Sequence, residues 1–84
     1  QQVLIYPNPV RDALKISIST STAADYAVEI VNVSGQVVFR QSLRVQNTGT
    51  VHYARQANLQ KGVYIVRVKN LTANTTEIRK LLFE

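Results

Sequence analysis

Alternation of apolar and polar positions dominates this chain. Leu14, Ile16 and Ile18 fall on one side of an extended backbone while Ala13, Lys15, Ser17 and Ser19 fall on the other, as a half-buried strand requires. Val37, Phe39, Gln41, Leu43 and Val45 alternate in the same way with Val38, Arg40, Ser42, Arg44 and Gln46, apart from a polar slot at Gln41 and an apolar one at Val38. This predicts a long strand with one wetted face and Phe39 turned inward. Residues 26–33 are apolar on both parities except at Glu29 and Asn32, and residues 62–68 read Gly-Val-Tyr-Ile-Val-Arg-Val. Both stretches are rich in β-branched side chains and are expected to be central strands. Weaker candidates at 3–6, 50–54 and 77–83 bring the number to about seven, the spacing of a sandwich or barrel. No helical stripe is evident, and residues 20–25 and 70–76 read as polar connectors.

Turn chemistry supports this division. Each of the three glycines falls at an expected turn: Gly35 after Asn32-Val33-Ser34, Gly49 after Asn47-Thr48, and Gly62 after Gln60-Lys61. A positive φ would cost glycine little there. None is left for a phosphate-cradling loop, which needs several together. Tyr6-Pro7-Asn8-Pro9 is the stiffest segment, because each proline fixes its own φ and restricts the residue before it. Lacking amide hydrogens, the prolines place this stretch at an edge or corner, where it ends the first strand and steers the chain into the second.

Length and charge narrow the picture further. Eighty-four residues suffice for one domain, expected over 1–84. Surface scaling gives roughly 5,000 Å² exposed when folded, so backbone ladders and one small core must hold the fold. The chain has no cysteine and one histidine, so neither a disulfide nor a familiar metal staple is available. It begins Gln1-Gln2 without an initiator Met, and the expectation is a piece of a longer protein with its partner sequence upstream. No apolar run approaches the roughly 20 residues of a membrane-spanning helix. Ten Lys and Arg against five Asp and Glu give a net charge of +5. The cations are scattered, with only Arg79 and Lys80 adjacent, which reads as a solvated basic surface and not as a nucleic-acid site.

The inventory for chemistry is nearly empty. Only His52, Asp12, Asp25, Glu29, Glu77 and Glu84 could act as a base or an orienting carboxylate, so no catalysis and no cofactor are expected. His52 stands on an expected strand with no second His and no Cys, and reads as an ordinary strand residue. The tyrosines read as packing residues. Three Asn-x-Ser/Thr triplets, at 32, 70 and 74, recur by chance in loops of this composition.

Taken in order, the landmarks resemble one family. Tyr6-Pro7-Asn8-Pro9-Val10 precedes the short apolar strand at Leu14-Lys15-Ile16. Val28-Glu29-Ile30-Val31 then runs through Asn32-Val33-Ser34-Gly35-Gln36 into Val37-Val38. Next comes Leu59-Gln60-Lys61-Gly62-Val63-Tyr64-Ile65-Val66-Arg67-Val68, and finally Arg79-Lys80-Leu81-Leu82. This order is similar to the C-terminal sorting domains, type A, of proteins exported by the type IX (Por) secretion system of certain Gram-negative bacteria. The likeness spans residues 6–82; the chain departs from it by ending Phe83-Glu84, where relatives often finish on a basic residue.

The resemblance implies an all-β, immunoglobulin-like sandwich of about seven antiparallel strands. It also implies a non-catalytic signal that carries a cargo through the periplasm to the outer membrane, cell surface or medium. The implied partners are the outer-membrane translocon and its shuttle proteins, and a cell-surface sortase that often removes the domain; a homodimer through an edge strand is also compatible. Recognition by strand and edge makes Gly62, Val63, Tyr64, Ile65, Val66, Arg67 and Val68, with Arg79, Lys80, Leu81 and Leu82, the candidate address. Tyr6, Pro7, Asn8, Pro9 and Gly35 are expected to shape the scaffold. Purely structural roles compete at each: Gly35 and Gly62 permit turns, Tyr64 packs, and the prolines orient a corner. An adhesion or carbohydrate-binding accessory domain of a secreted protein is the alternative reading.

Overall fold

Each alternating run becomes a strand whose apolar side meets another sheet. The computed structural model describes residues 1–84 and contains β1 (Gln2–Tyr6), β2 (Ala13–Ser19), β3 (Ala24–Val31), β4 (Val37–Val45), β5 (Thr48–Ala54), β6 (Gly62–Asn70) and β7 (Thr75–Phe83). All strand pairings are antiparallel. One sheet has the order β1-β2-β5 and the other β4-β3-β6-β7, an immunoglobulin-like sandwich.

The core lies between the sheets. Leu14, Ile16 and Ile18 of β2 face Tyr26, Val28 and Ile30 of β3, Val66 and Val68 of β6, and Leu81 and Phe83 of β7. Burying one such side chain stabilises the fold by about 1.5–3 kcal/mol, which is what a chain without disulfides depends on. Phe83 stacks at a tilt on Tyr64 with ring centroids 4.4 Å apart, and Phe39 meets Tyr53 at 4.9 Å. The solvent-accessible surface is 5118 Å², close to the value that scaling predicts for this mass.

Three departures from simple alternation have local causes. Residue 38 is an extra residue on β4: Ile30 pairs with Phe39 but Val31 pairs with Val37, a β-bulge that turns both Val38 and Phe39 toward the core. This accounts for the apolar slot at Val38. Secondly, β3 spans Ala24–Val31, two residues earlier at each end than the apolar run suggests. Asn32 ends it by turning away: its side-chain oxygen accepts hydrogen bonds from the amides of Ser34 and Gln36, at 3.0 and 2.9 Å, and so organises the turn that Gly35 completes at φ +87°. Thirdly, Gly49 does not make its turn. Asn47 takes the positive φ, +72°, while Gly49 lies inside β5 in close approach to Val45, where a Cβ would come within 2.8 Å of a valine methyl.

Candidate functional site

The larger sheet carries the distinctive surface. On β3, alternation turns Ala27, Glu29 and Val31 away from the core, yet all three are buried, because β4 and β6 flank them with longer side chains. This is why β3 reads as apolar on both parities. Glu29 is the exception that needs charge. Its carboxylate lies 3.0 Å from an Arg40 guanidinium nitrogen, 3.0 Å from one of Arg67 and 3.3 Å from the Lys69 ammonium. Burial pushes the Glu29 carboxyl up, but the contact and charge of Lys69, with the charges of Arg67 and Arg40, outweigh it and hold the group below its ordinary value. The carboxylate thus stays ionised and ties β4, β3 and β6 together across the outer face.

Above this ionic row the same face turns apolar. Val31 stands opposite Val37 on β4 and Ile65 on β6, and Val63 stands opposite Leu82 on β7. Val33 in the turn, with Val37, Val63, Ile78 and Leu82, accounts for five of the eight large hydrophobic side chains that the whole molecule exposes. A shallow groove of about 480 Å³ runs among Val31, Val33, Gly35, Val63, Ile65 and Ile78, with Arg67 closing one end. Lys80 lies beside it, opposite Ile65, and forms no ion pair.

The residues expected to form an address are brought together on neighbouring strands, but they divide by side. Val63, Ile65, Arg67, Lys80 and Leu82 turn outward. Tyr64, Val66, Val68 and Leu81 are buried in the core, where their contribution is packing. Arg79 has core parity but lies beyond the cover of the smaller sheet, paired with Glu77 at 2.8 Å. Gly62 opens β6 opposite Phe83 with φ +141°, a conformation that side chains with a Cβ rarely adopt.

The Tyr6-Pro7-Asn8-Pro9 segment lies against the outer edge of β7, with both prolines following cis bonds. Asn8 completes that edge as a strand would: its side-chain oxygen accepts from the Leu82 amide at 3.1 Å, and its side-chain nitrogen donates to the Lys80 carbonyl at 3.3 Å. Val10 continues the pairing, donating to the Leu82 carbonyl at 2.7 Å and accepting from the Glu84 amide at 2.8 Å. Arg55 closes the same corner. Its guanidinium lies over the Phe83 ring and donates to the carbonyls of Leu59, Arg11 and Glu84. Ahead of Lys80, β7 has no neighbour on its outer side.

His52 is exposed on β5 opposite Lys15, and no three of the His, Asp and Glu side chains converge. The convergence around Glu29 was invisible in the scattered cations of the sequence. Its one legible sign was a lone carboxylate inside the apolar run at 26–31, which demands partners if it is buried.

A family model described as the secretion system C-terminal sorting domain matches residues 4–84. No curated protein matches the chain. Among solved structures, the chain is similar to part of PorZ, an essential bacterial surface component of the type-IX secretion system of human oral-microbiomic Porphyromonas gingivalis. The TM-score is 0.74 at 24% identity, over 98% of this chain and 11% of that one. The likeness is one of fold, and the chain spans about a tenth of that protein's length.

Proposed function

This chain belongs to the family of secretion system C-terminal sorting domains, and we propose that it is the export address of a cargo protein, read in its folded form by the outer-membrane translocon of a type IX system. The family is a secretion signal and not a catalytic one. Under this reading residues 1–84 act as one unit. Shuttle proteins and the translocon recognise it after the cargo reaches the periplasm, and a sortase removes it at the cell surface.

The observation that carries the reading is the arrangement of β6 and β7. The segments that resemble the family's signatures are hydrogen-bonded neighbours, and their outward side chains present an exposed apolar and basic row. A folded sheet offering side chains and an open strand edge is a surface that another protein can read without cofactor or chemistry. A carbohydrate-binding role has less to rest on: Tyr26, Tyr53 and Tyr64 are buried, leaving Tyr6 as the exposed tyrosine.

The test is a fusion. An inert periplasmic reporter carrying residues 1–84 at its C-terminus should become accessible to external protease in a host with a working type IX system, and should remain inaccessible in a translocon-deficient strain. Retention of the reporter in the competent host would refute the reading.

A further inference from the structure

We propose that the groove on the outer face of the larger sheet is the docking site for an extended partner segment in which apolar side chains alternate with carboxylates. This rests on the reading of the chain as a recognised address and adds the place and the chemistry of recognition. Three of the molecule's eight exposed large hydrophobics, Val33, Val63 and Ile78, line the groove, and two more, Val37 and Leu82, share its face, a clustering that marks interaction surfaces in monomeric proteins. Its walls are the turn at Val33 and Gly35 on one side and Ile78 on the other. A volume of about 480 Å³ accommodates a few side chains.

Charge specifies the rest of the partner. Arg40, Arg44, Arg67, Lys69 and Lys80 share this face with two carboxylates: Asp25, which pairs with Arg44, and Glu29, which is committed to Arg40, Arg67 and Lys69. The excess positive charge lies at the end and side of the groove, so carboxylates flanking an inserted apolar side chain meet Arg67 and Lys80. The direction of approach is also set. Asn8 and Val10 occupy the β7 edge from Lys80 to Glu84, whereas the edge beside Ile78 is open, so an extended segment can enter over Ile78 and lie along it.

Two short peptides, one alternating leucine with aspartate and one alternating leucine with lysine, are titrated into the isotope-labelled protein and followed by amide chemical shifts. The aspartate peptide is expected to move the amides of Val63, Ile65, Ile78 and Lys80, and its binding should weaken as salt is raised. Ile78→Asp and Lys80→Glu should each weaken binding about tenfold. Both side chains face solvent, so the circular dichroism of each variant should match the parent. Equal binding of the lysine peptide, shifts confined to β1, β2 and β5, or no binding of either peptide would overturn the proposal. So would phosphatidylglycerol vesicles shifting the groove amides when the aspartate peptide does not.

The same variants in the reporter fusion separate this idea from the one beneath it. If the parent fusion is displayed and both variants are displayed equally well, the groove is not the docking site although the address reading stands. If the parent itself is retained, the address reading fails, and the peptide titration still decides whether the groove binds.

Discussion

Replacing Glu29 by Gln keeps the shape of the side chain and removes the charge that Arg40, Arg67 and Lys69 share. Removing one partner of a fully buried ion pair costs about 3–5 kcal/mol. The three cations retain between a third and a half of their exposure, so water screens their repulsion once the carboxylate is gone. That reduces the expected loss to about 1–3 kcal/mol. In a domain of this size each kcal/mol lowers Tm by about 4–8 °C, so thermal unfolding followed by circular dichroism resolves the effect. Acid provides the control. The folded carboxyl titrates below its ordinary value of 4.5, so its contribution is complete above that value and is lost as pH falls through the lower folded one. The Tm gap between parent and Glu29→Gln should therefore be wide at pH near 7 and should shrink as the pH falls below 4.5 through the lower folded value, where the parent's carboxyl also takes up its proton. A gap that is absent at neutral pH, or unchanged in acid, would refute the assignment of Glu29 as the charged tie across the outer face.

Other perturbations probe the edges and turns. Asn8→Ala leaves the Leu82 amide and the Lys80 carbonyl to water; it should cost about 0.5–1.5 kcal/mol in urea unfolding and speed hydrogen exchange at Leu82 above that at Leu81, and unchanged exchange would show that Asn8 does not close the edge. Gly62→Val forces a branched side chain to φ +141° with open space around it, so the expected loss of about 1–3 kcal/mol is backbone strain alone, and a variant as stable as the parent would disprove it. Gly49→Ala sets a methyl against Val45 and should cost about 1–3 kcal/mol. In a double-mutant cycle with Val45→Ala that loss should diminish, and strictly additive costs would show that the close approach is not its cause.

The strands were largely legible because a buried face imposes a period of two, and β2 at Leu14, Ile16 and Ile18 shows it without exception. Legibility failed where a third partner intervenes. Val38 broke the alternation of β4, and only the register against β3 reveals the bulge responsible. Gly49 sits among turn residues, but its need is room beside Val45, and proximity across a turn is not written in composition. The candidate site was readable as segments and not as a surface. Residues 62–68 and 79–82 stood out, yet the pairing of β6 with β7 decides that Val63 and Leu82 share the outer face while Val66 and Leu81 serve the core. Arg40, Arg67 and Lys69 were scattered cations until the order β4-β3-β6 placed them around one carboxylate.

The central claim is that the folded sandwich, and not a stretch of its sequence, is the signal. Val28 is buried in the core and faces away from the outer surface, so Val28→Asp unfolds the domain while leaving every outward residue of β6 and β7 in the chain. Surface exposure of a reporter fused to the parent and to this variant, compared by external protease at equal cellular amounts, tests the claim most directly. The parent should be displayed and the variant retained inside the outer membrane; equal display of both would contradict it.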